Sequence, residues 1–189
     1  MLEHELLEQQ VDNLADAIFC SDIYFCSLSA SWLFAFLGGH QNWRSDAVAE
    51  IEGLLDEYAP LSTFTDASST SISLRLSSIP LEAWENEVPV LDAVIRETTR
   101  IAQPHVAMRR NLGSELYINN KIIPTDAYVV YPFSDVHLDP EIYPEPWRFD
   151  PGRREVDNVS FAYVGWGSGK RPFVLQTSML IVLRFFLCS

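Results

Sequence analysis

Phe161-Ala162-Tyr163-Val164-Gly165-Trp166-Gly167-Ser168-Gly169-Lys170-Arg171-Pro172 stands near the carboxyl end of the chain and is followed directly by Phe173. Three closely spaced glycines let backbone approach a flat ligand where a side chain would intervene. Lys170 and Arg171 add cations that suit carboxylates on such a ligand. Phe173 restricts the chemistry open to the loop, because a phenyl ring offers no lone pair to a metal. A phosphate-loop reading is discarded, since Val164 holds its first glycine position and Arg171 its Ser/Thr position, leaving magnesium without a hydroxyl ligand.

Working outward, 189 residues with 48% hydrophobic content suffice for a sizeable core. A net charge of -13 without any basic stripe argues against nucleic acid, whose phosphates need clustered Lys and Arg. Cys20, Cys26 and Cys188 are odd in number and form no CxxC pair, so neither a disulfide framework nor a zinc site is indicated. His4, His40, His105 and His137 do not cluster at ligand spacing and are read as core or surface residues. Asn158-Val159-Ser160 is a glycosylation acceptor only inside a secretory lumen. The amino terminus shows no visible targeting signal or anchor. Ala17 to Leu37 is long enough to cross a bilayer, but Asp22 and several serines favour a buried core helix. Phe173 to Leu187 is shorter and is interrupted by Arg184.

Leu6, Leu7, Val11, Leu14, Ala15 and Ile18 recur at helical spacing, and the pattern predicts a long helix that Gly38-Gly39 stops. Trp43 to Tyr58 is a second helix with Val48, Ile51, Leu54 and Leu55 on one face. Pro60 to Ser78 reads as a loop. Pro80 and Pro89 open helices near 81 to 87 and 90 to 102, where a missing amide proton costs nothing. Val106 to Arg109, Glu115 to Ile118, Lys121 to Ile123 and Ala127 to Tyr131 read as a small antiparallel sheet, with Asn119-Asn120 as a turn. Prolines at 132, 140, 144, 146 and 151 then impose a meandering coil. The fold class is mainly α with a small antiparallel β-sheet.

Glu97 and Arg100 lie three apart on the predicted helix and project from one face. Arg109 and Arg110, Pro144-Glu145-Pro146-Trp147-Arg148-Phe149-Asp150-Pro151 and the glycine loop come after them in that order. This order resembles the cytochrome P450 family of haem-thiolate monooxygenases. The resemblance rests on Glu97-x-x-Arg100, on Trp147-Arg148-Phe149 as the PxRF-like element, and on the frame Trp166-x-x-Gly169-x-Arg171 before the ligand position. His40-Gln41-Asn42-Trp43 is similar to the family's connector after its central helix.

The resemblance implies a partial cytochrome P450-like domain over residues 1-172 and a non-matching apolar tail over 173-189. It implies a buried structural network of Glu97, Arg100 and Arg148, and haem contacts from Arg109, Trp166, Gly169 and Arg171. Haem is the implied cofactor, a lipophilic molecule the substrate and a flavoprotein reductase the electron donor. A parent at the endoplasmic reticulum membrane is implied as well. Pro132 to His137 and Gly165-Trp166-Gly167 look nearest to eukaryotic, including fungal, sterol- or lipid-oxidising branches. Two features depart from the family. Ser21 to Ser27 contains no acid-Thr pair, and Phe173 occupies the position of the axial cysteine, so this chain is expected to be inactive. A catalytically dead remnant and a membrane-associated structural protein stand beside the enzyme reading. The abrupt end of the resemblance at Pro172 predicts that the tail derives from a shifted reading frame or an unspliced intron. Sequencing spliced messenger across the Pro172 codon should therefore not return the Phe-Val-Leu continuation; finding it there refutes this origin.

Overall fold

The computed structural model describes residues 28–63, 71–102, 106–154, 156 and 158–165. The expectations for Leu6 to Ser27, and for Trp166, Gly169, Arg171, Phe173 and the tail, lie outside the described residues. The described residues divide into one unit that reaches Ile95 and a second that begins at Arg96.

In the first unit, helix α1 (residues 28–39) buries Ala30, Leu33 and Leu37, a spacing that places them on one face. Gly38 and Gly39 remain helical, and the break falls at His40, whose ring N–H donates to the Phe36 carbonyl at 2.8 Å. Helix α2 (Gln41–Tyr58) begins at the next residue. Its buried face is Ala47, Ile51, Leu54 and Leu55, whereas Val48, expected there, is exposed. Counting back from Ile51 by four rather than three reaches Ala47, and the face takes that row.

The predicted loop after Pro60 contains a 3-10 turn (Leu61–Thr63) and a helix, α3 (Ile72–Ser77). Ser71 starts α3 by accepting the Leu74 amide at 3.3 Å. Arg75 turns back to the end of α2, donating to the carbonyls of Ala59 at 2.9 Å and Leu55 at 3.3 Å. A cation placed there also meets the negative end of the helix dipole. Helix α4 (Leu81–Asn86) starts after Pro80, whose carbonyl accepts the Ala83 and Trp84 amides.

Helix α5 (Pro89–Ala102) begins with proline at its first position, as expected. Val88, just before the helix, and Leu91, Val94 and Ile95 within it are buried. The cap at the start of α5 comes from α2, where Glu50 reaches across. Its two carboxylate oxygens accept the Val90 and Leu91 amides, each at 2.9 Å. Trp84, Val88 and Leu91 pack with Ile51, Leu54, Leu55 and Leu76 in one cluster.

In the second unit, strand β1 (Val106–Arg110) pairs antiparallel with β4 (Tyr128–Pro132), from Val106 opposite Pro132 to Arg110 opposite Tyr128. Between them β2 (Leu116–Ile118) and β3 (Lys121–Ile123) form a separate hairpin, so the expected sheet is two small ladders. Asn119 and Asn120 make the two-residue turn with φ of 47° and 62°, the left-handed pair that a tight hairpin requires. Asn111 ties the two ladders together. Its amide and carbonyl bond Ala127 and Asp126, and its side chain donates to the carbonyls of Ser114 and Pro124. Past the short helix α6 (Ser134–His137) the chain is the expected coil. Among the described residues no helix is long and apolar enough to cross a membrane.

Removing the carboxylate that caps α5 leaves two amide donors without a partner. Glu50→Ala is expected to lower stability by about 1–2 kcal/mol, read from the urea midpoint, and Glu50→Gln, which keeps one acceptor, by less.

Candidate functional site

The second half of α5 carries Glu97 and Arg100 on the face that the sequence predicts, and both are buried. Arg100 grips the carboxylate with two parallel bonds, Nε to Oε2 and Nη2 to Oε1, each at 2.8 Å. This fork geometry matches guanidinium to carboxylate and is among the stronger ion pairs available. Oε1 also accepts the Asp150 amide at 3.0 Å and Arg153 Nε at 3.1 Å. Four donors converge on one carboxylate, three of them on Oε1 and one on Oε2.

The third member of the network is thus Arg153 and not Arg148. The Arg148 side chain is 55% exposed and bonds Glu145 and Asp150 at the surface. That bond from Arg148 is the main reason the Asp150 carboxyl lies below its ordinary range. A local turn causes the reversal. The Arg148 amide donates to the Glu145 carbonyl at 2.9 Å, while its own carbonyl accepts from Arg153 Nη2 at 3.0 Å and Arg100 Nη2 at 3.4 Å. The backbone of Arg148 therefore joins the network while its guanidinium leaves it. Pro146-Trp147-Arg148-Phe149 carries proline, arginine and phenylalanine in the order of the PxRF-like element. Pro151-Gly152-Arg153 repeats the Pro-x-Arg spacing five residues later, and that repeat was the available signal.

Two guanidiniums against one carboxylate leave an excess of positive charge. Carbonyl dipoles of the coil meet it: Arg100 Nη1 donates to His137 at 2.7 Å, and Arg153 donates to Pro144 at 2.6 Å and Glu145 at 2.8 Å. Arg100 also lies over the Tyr143 ring, 4.7 Å from its centre.

The same residues reach the start of the glycine loop. The Tyr143 hydroxyl donates to the Ala162 carbonyl at 2.9 Å. The Tyr163 hydroxyl bonds Thr99 at 2.7 Å, its ring stacks on His137 with centres 5.3 Å apart, and the Arg96 guanidinium lies 5.1 Å from the centre of that ring. Burial pushes the Tyr163 hydroxyl up to about 12. The Val164 amide donates to His137 Nε2 at 3.0 Å. Gly165 is buried, and a Cβ there would collide with the Tyr163 ring and hydroxyl, so the first glycine of the loop is required by close approach. His137, read from sequence as a core or surface residue, is fully buried and is the contact that sequence reasoning missed. No spacing signal marks it.

Arg109 lies on β1 opposite Val129, exposed, with Nη1 donating to the adjacent Met108 carbonyl at 2.8 Å. Its remaining donors suit a carboxylate supplied by a ligand. Among the described residues, the close backbone approach at Gly165 and the cation of Arg109 are features that would suit a haem and its carboxylates, and the side chain of Phe173 carries no group that binds a metal.

The family model for cytochrome P450 matches residues 77–172. The cytochrome P450 monooxygenase AacuE of Aspergillus aculeatus is 28% identical over 168 residues, 82% of this chain and 32% of that protein. The cytochrome P450 monooxygenase dmxR5 of Cryptosporiopsis is 32% identical over 143 residues, 72% of this chain and 26% of its own length. The cytochrome P450 monooxygenase MYCFIDRAFT_204672 of Pseudocercospora fijiensis is 27% identical over 192 residues, covering 94% of this chain and 38% of that protein. The chain spans about a third of the length of these curated relatives.

The geometry gives two expected outcomes. Arg153→Ala, which leaves Glu97 short of a buried partner, should cost roughly 3–5 kcal/mol; Arg148→Ala, at the surface, should leave the urea midpoint close to that of the unaltered chain. The second concerns acid. Burial, and then the nearby Arg100 charge, push the His137 imidazole from 6.5 down to about 4. The unfolded chain takes up a proton near 6.5 and the folded chain does not until about 4, so stability present above 6.5 is lost as pH falls through that window, by up to roughly 3 kcal/mol. His137→Phe should flatten this acid limb, measured as the urea midpoint against pH.

Proposed function

The chain belongs to the cytochrome P450 family, and we propose on that basis that it supplies the haem-side portion of an oxygen-dependent monooxygenase acting on a lipophilic substrate. Haem is the family's cofactor. The observation that carries the proposal is the Glu97 carboxylate, which joins Arg100 and Arg153 to the coil that leads into the glycine loop. Arg109 and Arg171 would meet the haem carboxylates, and Trp166 and Gly169 would lie along the loop that approaches it. Haem, when bound, would supply the oxygen chemistry, which in the family relies on a cysteine thiolate bound to the iron.

What these residues do is bind and orient. Glu97, Arg100 and Arg153 set the backbone, Arg109 and Arg171 balance charge, and the glycines admit the plane of the ligand. A flavoprotein reductase as electron donor and a membrane-bound parent belong to the same proposal. A second reading rests on Phe173: a chain with the cradle but no thiolate is a catalytically dead remnant that binds haem or a partner.

Haem titrated into the purified full chain separates these readings. Uptake with a reduced carbon monoxide spectrum lacking the thiolate-type Soret band is expected, and Arg109→Ala should weaken uptake about tenfold, the loss of one charge-assisted contact. A thiolate-type band refutes the expected inactivity, and no uptake removes the haem reading of this chain. Phe173→Cys by itself should give no substrate turnover; turnover by that variant contradicts the proposal.

A further inference from the structure

His137 is tied to the network at its backbone and to the loop at its ring. Its carbonyl accepts from Arg100 Nη1, and its Nε2 accepts the Val164 amide one residue before Gly165. An acceptor nitrogen facing an N–H carries the lone pair, which puts the ring proton on Nδ1. That Nδ1–H is buried and finds no hydrogen-bond partner among the described residues. An orphaned donor is a cost that a ring of carbon would avoid. If the side chain only filled space between Phe133 and Tyr163, a phenylalanine would fill it without that cost. The polar ring is retained where its one satisfied nitrogen holds loop backbone.

We propose that His137 is the positioning residue of the glycine loop, transmitting the placement of the Glu97-Arg100 pair to Val164 through a fixed Nδ1–H imidazole. The neighbouring contacts leave this amide to the histidine. Tyr143 holds residue 162 by its carbonyl and Thr99 holds residue 163 by its hydroxyl, so each of three consecutive residues has its own anchor. Of the three, only the His137 anchor acts on a backbone amide and contacts the chain adjacent to Gly165. The proposal rests on the reading of that loop as a ligand cradle, but its test needs no haem.

In the full chain labelled with nitrogen-15, the His137 ring should show Nδ1 protonated, Nε2 unprotonated, and a coupling across the bond to the Val164 amide. A protonated Nε2 overturns the proposal, and this measurement stands even where a variant fails to fold. His137→Phe should accelerate hydrogen exchange at Val164 about tenfold relative to the Arg100 amide, as expected for one lost hydrogen bond. His137→Gln, which presents an acceptor in place of Nε2, should restore most of that protection. Equal acceleration at Val164 and Arg100, no acceleration at Val164, or no restoration by glutamine each overturns it. Failure of haem uptake with these results intact sinks the function proposed above and not the anchor.

Discussion

One carboxylate, that of Glu97, takes four donors in a space closed to water, and the second unit is arranged around satisfying it. Burying a lone carboxylate is prohibitive; pairing it with two guanidiniums reverses the problem and leaves positive charge to disperse. The coil after α6 solves this second problem. It has no ladder or helix of its own to satisfy its carbonyls, and those of Pro144, Glu145 and Arg148, together with that of His137 at the end of α6, accept from Arg100 and Arg153. Irregular backbone and buried charge are each costly in isolation, and here each supplies what the other lacks.

The first unit relies on a different device. Its helices are held by an apolar cluster, and two of their ends are satisfied by side chains from other helices. Glu50 caps the start of α5 and Arg75 caps the end of α2, each charge at the helix terminus whose dipole favours it. Helix α5 belongs to both units in sequence. Its first half contributes Leu91, Val94 and Ile95 to apolar packing and its second half contributes Glu97 and Arg100 to the ion pair. A single amphipathic helix thus serves a core and a polar network from consecutive turns.

Legibility tracked the strength of local pattern. Helices α2, α4 and α5 and all four strands lay close to their expected ranges, because apolar periodicity, Pro80, Pro89 and Asn119-Asn120 act over a few residues. Helix α3 falls where the sequence predicts a loop, since six residues with two serines carry too little periodicity to mark a helix. Its existence depends on Ser71 as cap, on buried Leu76, and on Arg75 finding carbonyls sixteen and twenty residues earlier. The buried face of α2 lies one position from the expected one, at Ala47 and not Val48, because helical phase and not side-chain hydrophobicity decides it.

By itself the sequence determined the family, the mostly helical class, and the pairing of Glu97 with Arg100. Those are properties of residue type and short spacing. Which arginine completes the pair, and which nitrogen of His137 meets the glycine loop, were decided only in three dimensions. Arg148 and Arg153 carry the same group at the same spacing from a proline. A turn that sends one guanidinium to solvent and the other to Glu97 is a property of backbone direction, and side-chain identity does not encode it.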